Sequence, residues 1–193
     1  MKFFKEKLTF PVIPEFALEY GSGINSYAHY LAEKGSNVTG IDISEVAIKN
    51  CEERAIRRGV TNETNFLLMD AEFPTFSSTT FDLVFGSGIL HHLNIERALK
   101  EISRMLKPGG RAVFLEPLGH NPFIKALRKL TPNARTRDEH PLLESDISKF
   151  NLYFNKIELR YYGFTTLLTL PFKQRVIYSI ITISYRYFVN YFF

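Results

Sequence analysis

The sequence has one cysteine, Cys51, and no tryptophan. A lone thiol excludes an intramolecular disulfide framework and any zinc site built on paired cysteines, and it agrees with a reducing compartment. No uninterrupted apolar run reaches the roughly 18 residues that a membrane span needs. The N-terminal stretch MKFFKEKLTF carries charge but lacks the apolar centre of a signal peptide, so the expected location is the cytoplasm. No long basic run accompanies the net charge of +4, which argues against nucleic acid as a partner. Internal repeats and Gly/Ser linkers are also missing, and 193 residues suffice to bury one core. The expected organisation is therefore a single domain over 1–193.

What is present is an alternation of short apolar runs with helix-like stretches, the pattern of βαβ units and a parallel sheet. Phe16 to Tyr20 reads as a buried strand running into the turn Gly21-Ser22-Gly23. A helix follows from Ser26 to Lys34, ended by Gly35, and then a second strand from Asn37 to Asp42. Ser44 caps a helix that reaches Arg58 and stops at Gly59, with acid at its start and arginines at its end. Asn65 to Asp70 and Phe81 to Phe85 read as the third and fourth strands. Asn94 caps a helix from Ile95 to Leu106, which Lys107-Pro108-Gly109-Gly110 terminates before a fifth strand, Arg111 to Glu116. Beyond Pro117 the expected elements are a helix over Pro122–Leu130, a polar loop over Asn133–Pro141, a helix over Leu143–Phe150 and a strand over Tyr153–Tyr162.

Chemistry gathers at the strand ends. Glycines at 21 and 23 let a ligand approach the backbone, and the helix beyond offers unpaired N–H groups. The third glycine of a dinucleotide fingerprint is replaced by Ser26, so a tight structural turn is the competing reading. Asp42, about twenty residues on, is placed either to accept from a ribose diol or to cap the next helix. Asp70-Ala71 ends the third strand and Phe85-Gly86-Ser87-Gly88 the fourth. Polar or glycine positions at successive strand ends point to one ligand crevice.

The segments LEYGSG, VTGIDIS, FLLMDAE, FDLVFGSGILHHL and LKPGGRAVFLEP resemble, in order and spacing, the motifs of class I S-adenosylmethionine-dependent methyltransferases, close to the type 11 branch. The resemblance runs from Leu18 to Pro117. It implies a Rossmann-like, mostly parallel α/β sheet with helices on both faces and S-adenosyl-L-methionine as cofactor. The cofactor-binding core would span about 15–117, with the substrate side in 118–193. By the same resemblance Glu19, Gly21 and Gly23 would surround the methionine part of the cofactor. Asp42 would hold the ribose hydroxyls, and Ile43 would pack on the adenine. Asp70 would take the adenine amino group, the Ala71 N–H a ring nitrogen, and the Gly86 carbonyl would face the cofactor's amino group. Two departures stand out: Asn25 replaces a small residue, and only about fifteen residues, broken by Pro11 and Pro14, precede the first strand.

A hydroxyl acceptor benefits from a general base, and histidine suits that role near neutral pH. His120 and His91 are the candidates, with a helix-start motif that orders the loop as the alternative for the histidine pair. Glu116 belongs to the same region or braces the loop. The lack of a DPPY-like tetrad and of a cysteine after the fourth strand argues against DNA-base methylation and leaves a small-molecule or lipid-like acceptor. A catalytically silent subunit supporting a partner is the rival function. The apolar segment Arg175–Phe193 places Arg175, Ser179, Thr182, Arg186 and Asn190 on one stripe, which predicts an amphipathic helix. Such a helix would pack on its own sheet, form a dimer interface, wall a hydrophobic acceptor, or lie on a membrane surface, the last of which would make the protein peripheral.

Overall fold

A computed structural model describes residues 2–116, 142, 144–160 and 187–192. Helix α1 (Lys2–Thr9) leads into β1 (Phe16–Tyr20), α2 (Ala28–Ala32), β2 (Asn37–Asp42), α3 (Glu45–Arg58) and β3 (Thr64–Leu68). Then come β4 (Phe81–Ser87), a 3-10 turn (Leu90–His92), α4 (Ile95–Met105) and β5 (Leu106–Glu116). Among the described residues the chain closes with α5 (Glu144–Phe150), β6 (Lys156–Arg160) and β7 (Tyr187–Phe192). The sheet runs β3-β2-β1-β4-β5-β7-β6. Strands β1 to β5 are mutually parallel, whereas β7 lies antiparallel to both β5 and β6. This is the Rossmann-like arrangement that the sequence predicts.

Successive side chains of a strand point to opposite faces, so each central strand feeds two cores. Tyr20, Val84, Ala112 and Phe114 face a cluster completed by Leu99, Ile102 and Met105 of α4 and by Phe150 and Phe154. Ala17, Leu83, Phe85 and Val113 face the other, completed by Phe4 and Leu8 of α1, Leu31 of α2 and Cys51 of α3. Burial on both faces explains why these strands read as continuous apolar runs. The caps are as expected. Ser44 Oγ accepts from Ala47 N, Gly59 closes α3 at φ 66°, and Asn94 Oδ1 accepts from Arg97 N.

Three elements differ from expectation. The N-terminal segment, short as it is, forms α1, and Arg111 in β5 ties it down by donating through Nη2 to the carbonyls of Leu8 and Val12. LKPGG does not merely end α4. The strand begins at Leu106, and an irregular register between Phe81 and Leu83, with Gly109 at φ 78°, absorbs the extra residues.

The third difference is a correction. Tyr187–Phe192 is not helical: it is the strand β7, inserted between β5 and β6. The polar spacing that suggested a helix is a local signal, whereas two sheet edges with unpaired N–H and C=O groups are a non-local attraction. The β-branched and aromatic content suits them. The rest of the expected C-terminal helix, the helix over Pro122–Leu130 and the loop over Asn133–Pro141 lie outside the described residues. Deleting residues 174–193 would strip β7 from both neighbours and bare two ladder edges. The expected result is a lower melting temperature and aggregates by size-exclusion chromatography. A monomeric deletion protein with an unchanged melting temperature would overturn this placement of β7.

Candidate functional site

The carboxyl ends of β1, β2 and β3 and the loop after β4 surround a cavity of about 480 Å³. That volume falls in the range of small-molecule sites. Gly21, Asp42, Ile43, Asp70 and Ala71 all line it. A smaller polar cavity of about 190 Å³ adjoins at Gly21 and is lined by Glu19, Ser22, Gly23, Asn25 and Ser87 among others. Seven of the eight residues expected to hold the cofactor thus meet in two adjoining cavities: Glu19, Gly21, Gly23, Asp42, Ile43, Asp70 and Ala71. Gly86 lines neither. It lies within β4, where a side chain would come within 2.9 Å of both the Tyr20 carbonyl and the Phe114 ring.

The local chain explains each position. Gly21 and Gly23 sit at φ 66° and 49°, conformations that a side chain disfavours. Asp42 closes β2 and braces that turn: Oδ2 accepts from Gly23 N at 2.9 Å and Oδ1 from Ser44 N at 2.9 Å. It does not cap α3, a role that Ser44 fills. Each Asp42 oxygen retains acceptor capacity for a further donor. Ile43 follows with 76% of its surface exposed, an apolar side chain on the cavity wall. Across from it, Asp70 Oδ1 accepts from Glu72 N at 2.8 Å, and no partner holds its other oxygen among the described residues.

Glu19 lines the smaller cavity and also has a structural task. Its carboxylate is buried beneath the glycine turn and serves the start of α2. Oε1 accepts from Tyr27 N at 2.6 Å, and Oε2 accepts from Ser26 Oγ at 2.5 Å and from Ala28 N at 3.3 Å. Burial dominates over these bonds and pushes its pKa up to about 7. Cys51 is inert packing. Its thiol donates to the Gly23 carbonyl, and burial pushes it up to about 11.

His91 is buried, and its Nδ1 stands 2.7 Å from Glu116 Oε2, while His92 is exposed on the cavity wall. His120 lies outside the described residues. The sequence reading missed Met69, Glu72, Ile89 and Leu93, which also line the larger cavity. Met69 directly follows β3 and Ile89 comes two residues after β4, a signal that could have found them, whereas Glu72 and Leu93 lie further along the two loops. Glu72 also joins the third strand's loop to α4, accepting from Asn94 N at 2.7 Å and from Arg97 Nη1 at 3.1 Å. Among the described residues no cluster of ligating side chains could hold a metal ion.

Comparison with known proteins meets this geometry. Residues 18–114 match the methyltransferase domain family. The aklanonic acid methyltransferase DauC of Streptomyces sp. (strain C5) is 33% identical over 158 residues, covering 77% of this chain and 71% of that protein. The ubiquinone/menaquinone biosynthesis C-methyltransferase UbiE of Zymomonas mobilis is 34% identical over 111 residues, 57% of this chain and 46% of its own length. Phosphoethanolamine N-methyltransferase 2 of Haemonchus contortus, solved with S-adenosyl-L-methionine, superposes with a TM-score of 0.72 at 20% identity. That likeness is one of fold, and it covers 97% of this chain but 50% of the other. The chain spans half or less of the quinone enzyme and of the nematode one. It belongs to the class I S-adenosylmethionine-dependent methyltransferases, whose cofactor is S-adenosyl-L-methionine.

Proposed function

We propose that this chain holds S-adenosylmethionine in the paired cavities and methylates a small-molecule acceptor. The observation that carries the reading is the placement of two carboxylates, Asp42 and Asp70, around an exposed apolar Ile43 beside a glycine turn. An adenosine needs acceptors for its ribose hydroxyls and its amino group, and a flat apolar surface for its base. Asp42 holds the hydroxyls, Ile43 packs on the adenine, Asp70 accepts from the amino group and the Ala71 N–H serves a ring nitrogen. Gly21 and Gly23 leave room for the methionine part, with Glu19 behind them and the Gly86 carbonyl toward its amino group. When bound, the cofactor supplies a methyl group made electrophilic by its sulfonium. The protein's share is then to position the acceptor, since in-line displacement depends mainly on approach.

Relatives named for aklanonic acid and for ubiquinone/menaquinone biosynthesis support a small-molecule acceptor. His120 serves it in this reading. Calorimetry with S-adenosylhomocysteine is the test. Asp42→Ala is expected to weaken binding about 10- to 100-fold, as for loss of a charged hydrogen bond. Because Asp42 also braces Gly23, Asp42→Asn, which keeps the shape and one acceptor, should fall between. Equal affinities across the three proteins, or no binding to the wild type, would sink the cofactor placement. Radiolabel from S-adenosylmethionine appearing in a small molecule of cell extract would separate an enzyme from a silent subunit, which binds without turnover.

A further inference from the structure

The loop after β4 supplies Ile89, His92 and Leu93 to the wall of the larger cavity. Its conformation is not set by the cavity itself. Behind it stands Glu116, the last residue of β5, with its side chain fully buried. One carboxylate oxygen accepts from both Ile89 N and Leu90 N at 2.9 Å, and the other meets His91 Nδ1 at 2.7 Å. A carboxylate that already accepts two backbone bonds takes a third from a ring N–H, so the imidazole is oriented as well as held. Next to it Gly88 N donates to the Leu115 carbonyl at 2.8 Å, a further tie between this loop and β5.

The consequences reach the cavity through contact. Ile89 lies over Gly21, so close that a Cβ on that glycine would stand 2.8 Å from Ile89 Cδ1. The His92 ring lies 4.0 Å from the His91 ring, centroid to centroid. Moving His91 or the Ile89–Leu90 backbone therefore moves two side chains of the cavity wall.

We propose that Glu116 and His91 form a buried positioning pair that shapes the cofactor cavity through the Ile89–Leu93 loop. His91 then acts as a brace and not as the general base that its sequence position suggested. The proposal rests on the cofactor reading above, and its test keeps the two apart. Wild-type protein, Glu116→Gln, Glu116→Ala, His91→Asn and His91→Ala are titrated with S-adenosylhomocysteine, and their melting temperatures are recorded. Glu116→Ala and His91→Ala should lose affinity, because the loop that carries Ile89, His92 and Leu93 loses its anchor on β5. His91→Asn, which retains a donor toward Glu116, should recover most of the affinity lost in His91→Ala. Nitrogen NMR of the ring gives a signature that mere stability does not move. The wild type should show His91 protonated at Nδ1, and Glu116→Gln, which keeps the shape, should shift that resonance while the fold persists.

Binding to the wild type with equal affinity in all folded variants would overturn the positioning role alone. So would a His91 ring whose resonance ignores Glu116→Gln. Failure of the wild type to bind S-adenosylhomocysteine would instead overturn the cofactor reading and the proposal with it.

Discussion

Glu19→Gln is expected to remove a fall in stability that the wild type shows between about pH 4.5 and pH 7. The Glu19 carboxyl is buried beneath the glycine turn, and desolvation raises its pKa from 4.5 to about 7 against the pull of three donated hydrogen bonds. Over that interval the folded state binds a proton more tightly than the unfolded chain. Stability from this group is therefore full below pH 4.5 and is lost as the pH rises through 7. The size of the change is about 3 kcal/mol, at roughly 1.4 kcal/mol for each pKa unit. A glutamine cannot ionise. Its carbonyl can still accept from Tyr27 N while its NH₂ group faces Ser26 Oγ, and Ala28 N retains Ser26 Oγ at 3.1 Å as its partner. Urea unfolding from pH 4 to 8 is the measurement. Wild type and variant should diverge across the interval and run parallel above it, and curves parallel throughout would show that Glu19 titrates normally. Glu19→Ala, which leaves the Tyr27 N–H without its acceptor, should be the least stable of the three at pH 5.

Much of this architecture was legible because it is written locally. Ser44 with Gly59, and Asn94 before the buried stripe Ile95, Ala98, Leu99 and Ile102, are caps and periodicities read within one or two turns. The residues that line the two cavities were legible for a related reason: in an open parallel sheet, residues just past the strands converge without further instruction. What escaped depends on partners far away in sequence. Helix α1 is held by Arg111, about a hundred residues on, and strand β7 by edges that β5 and β6 create together. Glu19 is the clearest case. It is recognisable as an acid at a strand end, but only the fold shows that it spends its carboxylate on the start of α2. Glu116 as a brace of the loop is one of the two readings of the sequence, and it is what the fold shows.

Gly86→Ala should lower both the stability of the protein and its affinity for the cofactor product. Gly86 pairs with Tyr20 of β1 on one side and Phe114 of β5 on the other, at the centre of the parallel sheet. A Cβ there would lie 2.7 Å from Ile89 Cγ2, 2.9 Å from the Phe114 ring and 2.9 Å from the Tyr20 carbonyl oxygen. Ile89 can turn aside, but the Tyr20 carbonyl is backbone within the ladder, and Phe114 is fully buried between packed layers. Overpacking at such a site typically costs about 1–3 kcal/mol and displaces backbone. The displacement falls on β4 where it meets the glycine turn, so it should open the junction between the two cavities as well as weaken the core. The expected result is a melting temperature lowered by several degrees together with about tenfold or greater loss of S-adenosylhomocysteine affinity. Gly35→Ala supplies the comparison: Gly35 sits in a turn, at φ 92°, where nothing lies within 4 Å of an added Cβ, and it lines neither cavity. Backbone strain alone should make that variant less stable without changing its affinity at a temperature where it is folded. Gly86→Ala binding as tightly as Gly35→Ala under those conditions would show that β4 yields freely, and that the narrow space above Gly86 does not set the shape of the site.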